Sequence, residues 1–158
     1  MKRRFWSGDT VKPPVEGIHD DVILVFGSNP KGRHGLGVAN LAMNHWGAKY
    51  LTGRGLVGRS YALVTKNIDP NFYEESTGIT YTKSGYNSVT KAQIQANVEE
   101  LYRVALDKPE KLFLVPYVIG AKNLNGYSTS ELIECFCKTS VNVPLNMVFH
   151  ETWKPHLR

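Results

Sequence analysis

The feature that most constrains this chain is the run Asp21-Val22-Ile23-Leu24-Val25-Phe26, the turn signal Gly27-Ser28-Asn29-Pro30 after it, and the loop Gly32-Arg33-His34-Gly35-Leu36-Gly37. A strand that is apolar at consecutive positions is buried on both faces, which suits a sheet covered by helices. The next residues, Val38 to Met43, carry helical apolar spacing. Strand, glycine-rich loop and helix in that order present backbone N–H groups to a phosphate.

The rest of the chain repeats the alternation. Tyr61 to Val64 predicts a second strand, closed by Thr65-Lys66-Asn67. Residues 68–87 read as one long polar and aromatic loop, with Gly78 to Thr82 as a candidate short strand. Thr90 followed by Gln93 predicts a capping box for a helix running to Lys108, with Ile94, Val98, Leu101, Tyr102 and Ala105 as its apolar stripe and Pro109 as its stop. Lys111 to Pro116 predicts a third strand, which runs into a second glycine- and asparagine-rich loop from Ile119 to Tyr127. Ser128 with Glu131 caps a further helix, and Asn146 to His150 forms the last strand. Trp6 and Trp46 are expected in the core. These elements predict one α/β domain over residues 1–158, a three-layer α/β/α fold with a mixed central sheet and a ligand outside the carboxyl ends of its strands.

Composition excludes several classes. With 42% hydrophobic and 21% charged residues, the chain is neither disordered nor fibrous. No apolar run approaches a membrane span, and Met1 to Trp6 lacks the apolar segment of a signal peptide, so no membrane partner and a cytoplasmic location are expected. The net charge of +5 is compatible with an anionic ligand, a nucleotide or a nucleic acid. Cys135 and Cys137 stand two apart in a helical pattern, where their side chains diverge; no disulfide, no metal and no cofactor is expected.

The first loop is neither a Walker A sequence nor a dinucleotide fingerprint, because the spacing Gly32-x-x-Gly35-x-Gly37 fits neither. His34 is a candidate general acid or base, against the alternative of a solvent-facing loop histidine. Lys31 and Arg33 are candidates to reach a ligand phosphate or a nucleic-acid partner. Tyr81, Tyr86 and Tyr127 are candidates for stacking or for packing. Glu74 and Glu75 read as a solvated pair, one of which could act as a carboxylate at a site.

Taken in order, Gly8-Asp9-Thr10, Val22 to Phe26 with Ser28-Asn29, Gly35-x-Gly37-Val38-Ala39, Pro116-x-x-Ile119-Gly120 and Gly126-Tyr127 resemble the macrodomains, which are ADP-ribose-binding α/β/α modules. The pattern is similar to that of small bacteriophage proteins sharing Phe-Gly-Ser-Asn, Gly-Arg-His-Gly and a late Gly-Tyr. The resemblance implies a macrodomain-like fold and assigns roles. Asp9, with Thr10 beside it, would accept from the adenine amino group. Ser28 and Asn29 would approach the distal ribose. Gly35, Leu36, Gly37 and Val38 would form the first loop around the diphosphate, and Ile119, Gly120, Ala121, Lys122, Asn123 and Leu124 the second. Leu63-Val64-Thr65-Lys66 is similar to the strand end of a branch that hydrolyses ADP-ribosyl linkages, in which the lysine acts at the anomeric carbon. Lys66, Asn29 and His34 are therefore the catalytic candidates, and ADP-ribose or an ADP-ribosylated protein or nucleic acid is the expected partner. That branch also uses an aspartate in the second loop, where this chain has Asn123 and Asn125. The alternative is a non-catalytic module of phage counter-defence type that sequesters ADP-ribose or cyclic ADP-ribose.

Overall fold

The Val22–Phe26 run lies inside the sheet, as its composition requires. The computed structural model describes residues 2–157. In it, β1 (Phe5–Trp6), β2 (Val22–Ser28), β3 (Gly55–Val57), β4 (Ser60–Val64), β7 (Leu112–Leu114) and β8 (Met147–His150) form a six-stranded sheet in the order β1-β8-β7-β2-β4-β3. Every pairing is parallel except β3 with β4, so the sheet is mixed. The expected turn at Gly27-Ser28 is instead the end of β2, which pairs with β4 as far as Ser28 and Val64.

Alternation along β2 sends its side chains to two layers. Leu24 and Phe26 pack with Ala42 and Trp46 beneath α1 (Gly37–His45). Ile23 and Val25 pack in the larger cluster with α2 (Lys91–Asp107) and α3 (Thr129–Cys137). Helices on both faces of a mixed sheet give the three-layer arrangement. Phe136 of α3 meets Phe149 and Trp153 edge-on, at 5.8 and 5.4 Å between ring centroids. Burial of each such ring contributes roughly 1.5–3 kcal/mol. Trp46 is buried, whereas Trp6 is only partly so, its indole N–H donating to the Val115 carbonyl at 2.8 Å. Both predicted capping boxes form, Thr90 with Gln93 and Ser128 with Glu131.

The stretch 68–87 differs from a plain loop. It contains a two-stranded antiparallel hairpin, β5 (Phe72–Glu74) with β6 (Ile79–Tyr81). β6 falls on the candidate short strand Gly78 to Thr82, one residue inside it at each end. Its partner β5 and the edge strand β3 are not apparent in the sequence; each has three residues and neither lies in a longer apolar run of the kind that marks β7. A final 3-10 turn spans Glu151–His156.

The connections position the site. From β2 the chain passes through α1 to β4 on one side; α2 then carries it back to β7 on the other side of β2. The strand order therefore reverses between β2 and β7, which opens a crevice at their carboxyl ends.

Candidate functional site

A cleft of about 690 Å³ occupies that crevice. Its walls come from four carboxyl-terminal strand ends and the loops that leave them. The Ser28 carbonyl accepts from the backbone N–H groups of Thr65 at 3.0 Å and Lys66 at 3.3 Å, which ties the end of β2 to the end of β4 and sets Lys66 on the cleft wall. Lys66 is half-buried, and its ammonium stands 5.6 Å from the centroid of the exposed Tyr86 ring.

The first loop is held by Asn29. Its amide donates to the Arg33 carbonyl at 2.9 Å and its Oδ1 accepts from the Arg33 N–H at 3.2 Å. Asn29 thus borders the cleft with its polar atoms committed to the turn. Gly35, Leu36, Gly37 and Val38 follow along the rim and lead into α1, which starts without a side-chain cap. Uncapped first-turn N–H groups are available to an anion.

The second loop uses its asparagines in the same way. The Asn123 amide donates to the Tyr127 carbonyl at 2.9 Å and to the Thr129 hydroxyl at 3.2 Å, and Asn125 Oδ1 accepts from the Tyr127 N–H at 2.9 Å. Ala121, Lys122, Asn123 and Leu124 line the cleft; Ile119 and Gly120 are exposed and lie outside its lining. Gly126 has φ of +89°, and a Cβ there would come within 2.7 Å of Tyr86 Cβ, so only glycine lets these two loops meet.

Asp9 and Thr10, which follow β1, also line the cleft. The segment is fixed by His150, at the end of β8. His150 Nδ1 accepts from the Thr152 N–H at 3.2 Å, so Nε2 carries the proton and donates to the Gly8 carbonyl at 2.8 Å. The charged side chains in the lining are Arg33, Lys66 and Lys122 against Asp9 alone, which favours a ligand carrying more than one negative charge.

Several candidates sit elsewhere. His34 is neither solvent-facing nor part of the lining. Its ring is buried, edge-on to Phe26 at 4.9 Å, with Nε2 2.8 Å from the Thr52 carbonyl. Phe26 points to the α1 layer, and His34 follows it there. Lys31 forms an ion pair with Asp69, and Arg33 alone of the two basic residues reaches the cleft. Tyr81 and Tyr127 are buried, donating to Glu74 at 2.8 Å and to the Val89 carbonyl at 2.7 Å; of the three tyrosines only Tyr86 is exposed.

Glu74 is not solvated. It is buried, faces Arg54 with both oxygens at 2.9 Å, and accepts from Thr77 and Tyr81 at 2.8 Å each. Burial by itself would raise its carboxyl; the hydrogen bonds from Arg54, Thr77 and Tyr81 outweigh burial and hold it below the ordinary value. Glu75 is exposed, and neither glutamate lines the main cleft. Among the described residues no cluster of three or more His, Cys, Asp or Glu could hold a metal ion, and no helix is long and apolar enough to cross a membrane. Both cysteines are free thiols.

Sequence reasoning missed three contributors: Tyr117 in the cleft floor, His150 behind Asp9, and Asn67 after Lys66. Asn67 is fully buried. Its amide donates to the carbonyls of Asp69 and Lys83 at 2.7 Å each, its N–H to the Ser88 hydroxyl at 2.8 Å, and its carbonyl accepts from the Gly85 N–H at 2.8 Å. The Asn87 N–H then donates to the Asn125 carbonyl at 2.9 Å, so the loop carrying Tyr86 is tied to the second loop as well. A polar residue directly after a strand-end Thr-Lys was the only signal for this clasp.

No protein-family model, no curated protein and no solved structure matches the chain.

Proposed function

We propose that the cleft binds ADP-ribose and that the protein removes ADP-ribosyl groups from an acceptor. The observation that carries this reading is the placement of Lys66 on the wall of a cleft at the strand-order reversal, between two glycine-containing loops and beside two further cations. The loop N–H groups and the start of α1 suit a diphosphate. Asp9, the carboxylate of the lining, suits the amino edge of an adenine. In the reaction the unprotonated Lys66 amine forms a bond to the anomeric carbon of the distal ribose as the bond from that carbon to the acceptor breaks. The acceptor leaves with the bonding pair and takes the proton that the Lys66 nitrogen sheds. The ribose ring then opens to leave a Schiff base between Lys66 and that carbon, water adds to it, and loss of the amine with closure of the ring releases ADP-ribose.

A second reading, a module that sequesters ADP-ribose or its cyclic form without turnover, is favoured by one observation. Asp9 is the sole carboxylate in the lining, and the amides of Asn123 and Asn125 are occupied in holding the second loop.

Calorimetric titration with ADP-ribose, AMP and cyclic ADP-ribose, together with turnover assays on ADP-ribosylated DNA and protein, separates the two. For the hydrolase, Lys66→Ala is expected to abolish release while ADP-ribose affinity stays within a few-fold, because the lost bond exists only along the reaction. Borohydride is expected to trap an adduct on Lys66 in the wild type. Tight binding with no turnover and no adduct would leave the sequestering module.

A further inference from the structure

One amide stands in the apolar stripe of α2. Ile94, Val98, Leu101, Tyr102 and Ala105 are fully enclosed there, and Asn97 is buried among them. A leucine would suit such a position, because a buried amide is tolerated only where its polar atoms are bonded. Both ends of Asn97 are bonded. Its Oδ1 accepts from Arg54 Nη1 at 2.9 Å, and its Nδ2 donates to the Val64 carbonyl at 2.9 Å.

Val64 is the last residue of β4, and Thr65 and Lys66 follow it. The Thr65 N–H donates toward β2, to the Ser28 carbonyl, so the Val64 carbonyl of the same trans peptide points the other way, toward β3. But β3 pairs with β4 only from Gly55, opposite Ala62, and no strand residue stands opposite Val64 on that edge. Asn97 supplies the donor that a longer β3 would have supplied. Arg54, the residue just before β3, binds the other end of the amide and is itself held by both oxygens of Glu74 at 2.9 Å. On the β2 side the Ser28 carbonyl also accepts from Lys66, at the longer distance of 3.3 Å. The end of β4 is thus pinned from both edges where the chain delivers Lys66 to the cleft wall.

We propose that Asn97 is a positioning residue for Lys66: by closing the open edge of β4 at Val64, it fixes the peptide from which the lysine side chain reaches the cleft. Its role rests on the reaction proposed above for Lys66. A nucleophile acts only from a narrow range of positions, and slack in the strand end that carries it slows attack without removing a contact to the bound ligand. Asn97, Arg54 and Val64 all lie outside the cleft lining.

The test uses Asn97→Leu, which suits the apolar stripe, and Asn97→Asp, which suits Arg54; neither can donate to Val64 as the amide does. Thr90→Ala, which weakens the cap of the same helix, is the control. The substrate is whichever of ADP-ribosylated DNA and protein the wild type turns over. Both Asn97 variants are expected to release ADP-ribose at least about tenfold more slowly, and to form the borohydride adduct on Lys66 more slowly by the same factor, while ADP-ribose affinity stays within a few-fold of the wild type. Thr90→Ala is expected to keep the wild-type rate. In the free proteins the Lys66 amide hydrogen should exchange faster in both Asn97 variants than in Thr90→Ala. Wild-type release by either folded Asn97 variant, an equal loss in Thr90→Ala, or a loss of affinity as large as the loss of rate overturns the positioning role. A wild type that neither releases ADP-ribose nor forms the adduct overturns the reaction itself, and the role of Asn97 falls with it.

Discussion

Glu74 shows what a single residue's neighbours in sequence conceal. Adjacent glutamates suggest a solvated pair, but β5 alternates, turning Tyr73 outward and Glu74 inward onto Arg54. Three residues of strand leave no pattern from which to read that. The Arg54 guanidinium also donates to the Asn97 amide oxygen at 2.9 Å, so the pair fastens the hairpin to α2. Removing one partner of a buried pair costs roughly 3–5 kcal/mol, reduced here because Arg54 keeps some solvent and a longer contact to Glu100 at 3.5 Å. Glu74→Gln is therefore expected to lose about 2 kcal/mol at neutral pH. The folded carboxyl titrates below its unfolded value, so its stabilisation is complete above that value and disappears as pH falls through the folded one. Urea unfolding at about pH 7 and about pH 3 should show the wild type losing its advantage over Glu74→Gln at the acid end. An equal gap at both pH values would remove Glu74 from the acid sensitivity of the fold. Asn29, Asn123 and Asn125 teach the same lesson: their types fit a ribose site, but only the fold reveals that their amides brace the loops.

At the scale of elements, sequence is informative wherever the signal is local. The capping boxes at Thr90 and Ser128, the apolar stripe of α2 and the stop at Pro109 all lie within a few residues of what they specify. β3 and β5 are each three residues long and carry no such local pattern, and neither is legible. The caps allow a sharp comparison. Thr90 Oγ1 accepts from the Gln93 N–H at 3.1 Å, and Gln93 Oε1 accepts in return from the Thr90 N–H at 2.9 Å. Thr90→Ala should cost about 1 kcal/mol, and Thr90→Ser should restore nearly all of it. Chemical denaturation measures the difference. Because Thr90 is exposed and outside the cleft lining, ADP-ribose affinity should be the same in all three proteins.

At the scale of the whole molecule, one sheet separates two apolar layers. Trp46 lies in the layer with α1, and Trp153 in the layer with α2 and α3. The strands between them, β2 and β4, donate side chains to both, so neither layer can open without exposing the other. Urea unfolding followed by tryptophan fluorescence and by far-ultraviolet circular dichroism should therefore give coincident transitions. Two separated midpoints would divide the chain into independently folding parts. The layering is legible in the sequence, because strands and helices alternate along it. The strand order, and with it the crevice, is not, because it depends on which side of β2 each crossover takes. The Asn67 clasp has a further consequence for how a ligand is received. Under the function proposed above, the hydrogen bonds of Asn67 and Asn87 fix these loops when the chain folds, so that ordering them is a cost of folding and not of binding. Stopped-flow association of ADP-ribose is then expected to show a single phase whose rate rises with concentration, and a slow phase independent of concentration would mean that the loops close after contact.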